Sequence, residues 1–138
     1  MIVFLLHILG YDIWFYISHL LLHTPLLWKY HKLHHTIINP VYTDTYTGHF
    51  LEGPFQSLGF VLPYLFYNFD WTSFLCALLF TNIRGLLRHD HRTVWLIGNH
   101  HLLHHQFCNY NFGEYWLDWF FNTGFKRKEH IQHGILYM

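Results

Sequence analysis

Charge is scarce in this chain. Of its 138 residues, 12% are Asp, Glu, Lys or Arg, against about 25% in an ordinary soluble domain. Eight acids balance eight bases when histidine is neutral. That balance excludes the basic patch that tracks a nucleic-acid backbone, so no nucleic-acid partner is expected. Cysteine is rarer still. Cys76 and Cys108 are too few and too far apart for a disulfide framework or a zinc knuckle. Cys76 sits in an apolar run and reads as a packed thiol. There is no low-complexity linker and no internal repeat, and the length bounds the chain to one domain, 1–138. Residues 2–28 lack the basic flank of a cleaved leader, and Asp12 and two later histidines interrupt them, so no cleavage is expected.

What is present is apolar and aromatic: 52% and 22% of residues. The balance favours a membrane protein. Residues 2–27 read as a long apolar helix ended by Thr24-Pro25, long enough to span a bilayer. Residues 54–69 and 71–87 are shorter apolar stretches separated by Asn68 and Asp70. They read as a tight helical hairpin. Tyr64, Phe66, Tyr67, Phe69 and Trp71 near its turn read as interfacial anchors. Residues 28–53 and 88–138 are polar and form a cap. All eight bases follow the first helix, end the third, or lie in the tail. The positive-inside rule then puts the cap in the cytosol. Lys126-Arg127-Lys128 reads as a solvated or lipid-headgroup contact. The fold class is all-α: an integral membrane helical protein with a cytosolic histidine-rich helical cap.

Fifteen histidines stand against this sparse background. His19 and His23 form an HxxxH; His31, His34 and His35 form an HxxHH; His101, His104 and His105 form another; His49 and His89 stand between them. Spacings of three and four share a helix face. Asp12, Tyr16, His19 and His23 fall within about 60° on the first helix, a polar stripe on an apolar rod. Ionisable groups in such a segment face a partner or a cavity. Asp12 is placed to accept a hydrogen bond from a ligand imidazole. His7 points the other way and reads as interfacial. One HxxxH is weak evidence. Three clusters together resist a packing explanation: neutral imidazoles crowded together waste hydrogen bonds, and charged ones repel. Metal resolves both. The count exceeds one tetrahedral zinc and implies two ions. An all-imidazole set suits iron, zinc or copper alike.

The order HxxxH, HxxHH, lone histidine, HxxHH resembles the fatty acid hydroxylase/sterol desaturase superfamily of integral membrane, non-haem di-iron enzymes. "DIWFYISHLLLH" (Asp12–His23), "LLWKYHKLHH" (Leu26–His35), "GHFLEGPFQS" (Gly48–Ser57), "NIRGLLRHD" (Asn82–Asp90) and "HLLHHQFCNYNFGEYW" (His101–Trp116) carry the likeness across residues 11–128. The last stretch is most similar to sterol C5-desaturases (lathosterol oxidase-like). Members usually continue with Trp-Asp-Arg and a Gly-rich turn. Here Trp119-Phe120-Phe121-Asn122-Thr123-Gly124 stands in that place, with Asp118 one position off. Relatives also carry more upstream helices, which leaves a fragment or a degenerate enzyme open.

The resemblance implies two iron ions, with zinc as a substitute. His19, His23, His31, His34, His35, His89, His101, His104 and His105 are then the ligands. His49, Asp12, Asn109, Asn111 and Glu114 are lesser candidates, as ligands or as groups that orient the imidazoles. Asn109, Tyr110, Asn111 and Glu114 read equally well as a turn. The implied activity is O2-dependent desaturation or hydroxylation of a sterol or fatty acyl lipid at the endoplasmic reticulum. With no haem or flavin motif in the chain, electrons come from an external donor such as cytochrome b5 and its reductase. Missing tunnel walls point to a homo-oligomer in which a second copy supplies them. Within the enzyme class, a fatty acid or sphingolipid hydroxylase is the alternative. Outside it stand a zinc-binding membrane protein and a degenerate relative. A transporter is disfavoured, because 54–87 carries almost no mid-membrane polar groups.

Overall fold

The computed structural model describes residues 1–136, and among them no strand occurs. Helix α1 (Ile2–Leu22) is apolar and free of proline. It is the one helix among the described residues long and apolar enough to cross a membrane by length and composition. It stops five residues short of the expected Leu27. His23 caps it, and the Thr24 hydroxyl turns back to the Leu21 carbonyl. The residue before a proline is pushed out of helical geometry, so Pro25 sets this boundary. A one-turn helix α2 (Trp28–His31) and a 3-10 turn (His34–Thr36) carry the second histidine cluster.

The expected first arm of the hairpin is a short helix α3 (Glu52–Ser57) running into a 3-10 segment (Leu58–Leu65). That segment packs along α1. Gly10 and Gly59 make the approach possible: a Cβ on Gly59 would lie 2.5 Å from the Gly10 carbonyl oxygen. The returning helix α4 (Trp71–Arg88) starts at Asp70, whose side chain accepts from the Thr72 amide at 3.1 Å. It too packs on α1. Both arms therefore use α1 as their common support.

Two readings are corrected here. His7 is completely buried, not interfacial. Its Nδ1 donates to the Phe60 carbonyl at 2.8 Å, and its ring sits edge-on to Tyr64 and Phe74. The returning segment covers the face that a lone helix would expose. Cys76 is exposed, not packed, because α4 turns that side away from α1.

The cap follows α4. Helix α5 (Val94–Ile97) ends at Gly98, whose φ of 78° requires glycine's freedom, and α6 (His100–Phe107) follows at once. Cys108 and Asn111, both at positive φ, fold the next loop back beneath α6. Helix α7 (Tyr115–Phe120) closes the cap.

Candidate metal centre

The α6 loop returns the third histidine cluster to the end of α1, where the first two already lie. Two buried groups result. His19, His23, His31, His35 and His104 bring one ring nitrogen each within 4.8 Å of all the others. His34, His89, His101 and His105 do the same. The groups adjoin: the rings of His34 and His35, one from each, have centroids 5.8 Å apart. Each HxxHH divides the same way. The i and i+4 members (His31 and His35, His101 and His105) enter one group, and the intermediate histidine enters the other.

The outer ring nitrogens show what the inner ones are for. Nδ1 of His19 donates to Phe112 O (2.5 Å), His34 to Thr47 O (2.9 Å) and His89 to Gly85 O (2.8 Å). Likewise His104 donates to Tyr110 O (2.6 Å) and His105 to Ile37 O (3.0 Å). His31 Nδ1 donates to Glu52 Oε1 at 2.9 Å. A carbonyl only accepts, so each of these rings keeps its proton on Nδ1 and turns a lone pair inward on Nε2.

The inner nitrogens then meet one another. Nε2–Nε2 separations are 2.9 Å for His19–His31, 3.0 Å for His31–His35 and 3.1 Å for His35–His104. In the second group they are 3.1 Å for His34–His89 and 3.0 Å for His89–His101. In His19–His31 and His34–His89 both rings carry the proton on Nδ1, so two lone pairs face each other and cannot hydrogen-bond, but a cation between them satisfies both. Nitrogens about 2.1 Å from one metal and a right angle apart are separated by about 3.0 Å. The buried Nε2 atoms of His23 and His105, which have no hydrogen-bond partner, fit the same purpose. The donor set fits a metal ion in each group.

Electrostatics agree. Burial first, then the neighbouring imidazoles, pushes His23 down to about 4 and His35 and His105 to about 3. His31, His34, His89, His101 and His104 are lowered too, with burial the largest cause. The rings are neutral at physiological pH, the state a metal requires. Burial pushes the Glu52 carboxyl up to about 8. A cation on His31 would draw it back down.

The remaining candidates lie elsewhere. His49 belongs to neither group; its Nδ1 accepts from the Leu51 amide and its ring packs between Tyr30 and Phe50. Asp12 is ion-paired with Arg84 and does not touch a histidine. Glu114 pairs with Arg84 and Arg88. The Asn111 side chain donates to His100 O and accepts from the Phe125 amide. Asn109 is exposed.

Sequence reasoning passed over Glu52, although "FLEG" follows His49 and an acid beside a lone histidine is a usable signal. Asp118 is the other omission from the candidate set. It is fully buried and accepts from the Phe112 and Gly113 amides, the Thr123 hydroxyl and His100. It thereby fixes the loop that presents the carbonyls to His19 and His104. A cavity of about 330 Å³ borders the groups, lined by Tyr11, Phe15 and Phe60 together with His31, His89 and His101.

An all-α frame with two imidazole clusters at the end of an apolar helix defines a protein able to hold metal at such a helix's mouth. Comparison with known proteins carries this further. The chain belongs to the fatty acid hydroxylase family, within the fatty acid hydroxylase/sterol desaturase superfamily; the family profile matches residues 4–123. It is 32% identical over 115 residues to a Delta(7)-sterol 5(6)-desaturase of Leptosphaeria maculans, covering 78% of this chain and 32% of that protein. It is 31% identical over 121 residues to one of Gibberella zeae (81% and 34%) and 29% identical over 114 residues to one of Candida glabrata (78% and 31%). The chain thus spans about a third of the length of these curated relatives. No solved structure matches it.

Proposed function

We propose that this chain is the metal-holding part of a membrane-bound, non-haem di-iron oxidoreductase that uses O2 to desaturate or hydroxylate a lipid. A sterol is the favoured substrate, since the relatives are named as sterol desaturases. The observation that carries the reading is nine imidazoles in two adjoining buried groups, six of them with Nδ1 held by an outer acceptor and Nε2 turned inward.

In this reading α1 spans the bilayer, with the cap in the cytosol at the endoplasmic reticulum. His19, His23, His31, His35 and His104 hold one iron, and His34, His89, His101 and His105 the other. When bound, the pair supplies O2-dependent removal of hydrogen from an unactivated C–H bond, drawing two electrons from a separate donor protein. The chain's own residues do the rest. The carbonyls and Glu52 keep the Nδ1 proton of six rings in place and so keep their Nε2 free. Burial excludes water from the rings. Tyr11, Phe15 and Phe60 offer the apolar wall against which a lipid lies beside His31, His89 and His101.

The test is metal content in detergent-purified protein, followed by lipid profiling of expressing cells. About two irons per chain, with a new unsaturated or hydroxylated sterol, is the expected result. Zinc alone, after iron-replete anaerobic preparation, would reject the oxidoreductase and leave a zinc-binding membrane protein.

A further inference from the structure

A second cavity lies on the other side of α6 from the histidine groups. Its volume is about 410 Å³. Lys126, Lys128 and His133 line it, with the amides of Asn122 and Gln132. Among the described residues one carboxylate lines it, Asp118, whose two oxygens bond four neighbouring groups. Among the described residues two lysines against one carboxylate leave the lining net cationic. Its rim is held by residues 130–132, where Asn99 exchanges backbone and side-chain bonds with His130 and Gln132.

Helix α7 beside it presents an unusual surface. Trp116, Trp119, Phe120 and Phe121 are 45%, 73%, 70% and 54% exposed. Trp119 also lines the cavity, so aromatic face and cationic cavity are continuous. Their depth is set by α1. The Tyr16 ring stacks on Phe121 at 5.1 Å, and its hydroxyl bonds Thr123 at 3.1 Å. Tyr16 lies six residues before the end of α1, about 9 Å along its axis. Amphipathic aromatics collect at the level of lipid headgroups, and lysines there meet phosphate.

We propose that this cavity binds the phosphate of a membrane lipid headgroup, with Lys126 and Lys128 as its cations and the α7 aromatics against the acyl boundary. The site seats the cap on the membrane. It rests on α1 spanning the bilayer, and not on the metal.

The test is native mass spectrometry of the full chain in detergent, with phosphatidic acid and phosphatidylcholine of the same acyl chains as probes. Phosphatidic acid should be retained in preference. Lys126→Gln with Lys128→Gln should weaken its retention about thirtyfold, about fivefold per lysine. Lys126→Arg with Lys128→Arg should keep it, and millimolar inorganic phosphate should not displace it. Equal retention of phosphatidylcholine, full retention by the glutamine variant, or loss in the arginine variant would overturn the proposal. Displacement by inorganic phosphate would show a free-anion site and overturn the lipid assignment. Metal content, read on the same samples, reports the histidine groups, so the two proposals fail separately.

Discussion

His31 and Glu52, twenty-one residues apart, meet at 2.9 Å through Nδ1 and Oε1, both buried. This is the one carboxylate that touches a ring of either histidine group among the described residues. It gives His31 a carboxyl partner at Nδ1, where His19, His34, His89, His104 and His105 have backbone carbonyls.

Glu52→Ala should therefore weaken metal binding by about 10–100-fold, the usual effect of removing a ligand's outer partner. Glu52→Gln keeps an oxygen for the Nδ1 proton and should lose less. Competition with a graded series of chelators measures both. Equal affinity for all three proteins would remove Glu52 from the site.

His104→Ala and His49→Ala should separate cleanly. His104 bridges the Tyr110 carbonyl and the Nε2 of His35, so its loss should strip the first group and leave about one ion per chain. His49 lies outside both groups and its alanine variant should retain the wild-type content. Elemental analysis of purified protein decides the matter.

Acid should destabilise the metal-free protein through its histidines. His23, His35 and His105 are held at about 4, 3 and 3 when folded, against about 6.5 unfolded. Between those values the unfolded chain binds more protons, so stability rises with pH. The contribution is complete above about pH 6.5 and is lost as pH falls toward 4. Each ring forfeits on the order of 1–2 kcal/mol between pH 6.5 and 5. Glu52, raised to about 8, has the opposite sign, but one carboxyl is outnumbered. Thermal melts of chelator-treated protein from pH 7 to 5 should show a falling midpoint, and metal should leave over the same window. A flat profile would contradict the buried neutral cluster.

Arg84 ties the apolar frame to the cap, pairing with Asp12 on α1 and Glu114 after α6. Arg84→Met strands the Asp12 carboxylate in a buried setting and should cost about 3–5 kcal/mol. Adding Asp12→Asn should recover part of that loss. Melting midpoints in detergent for wild type, single and double variants provide the comparison. A double variant no better than the single would show that the pair is not the cause.

The histidines able to gather around a metal were legible in the linear chain, because imidazole spacing of three and four survives any detail of packing. His31 to His35 and His101 to His105 mark candidate metal ligands as text, and a long apolar first helix marks a candidate membrane span. Other features needed the folded chain. Asp12 shares a helix stripe with His19, yet Arg84, 72 residues away, takes it. His7 looked exposed until residues 58–65 covered it. The division of each HxxHH between two groups depends on where α6 lands relative to α2, and no local period encodes that. Backbone carbonyls of Ile37, Thr47, Gly85, Tyr110 and Phe112 carry no side-chain identity, so their role in fixing five tautomers cannot be written in a sequence. Residue identity determined which atoms can bind metal; only long-range packing decided which of them face inward together.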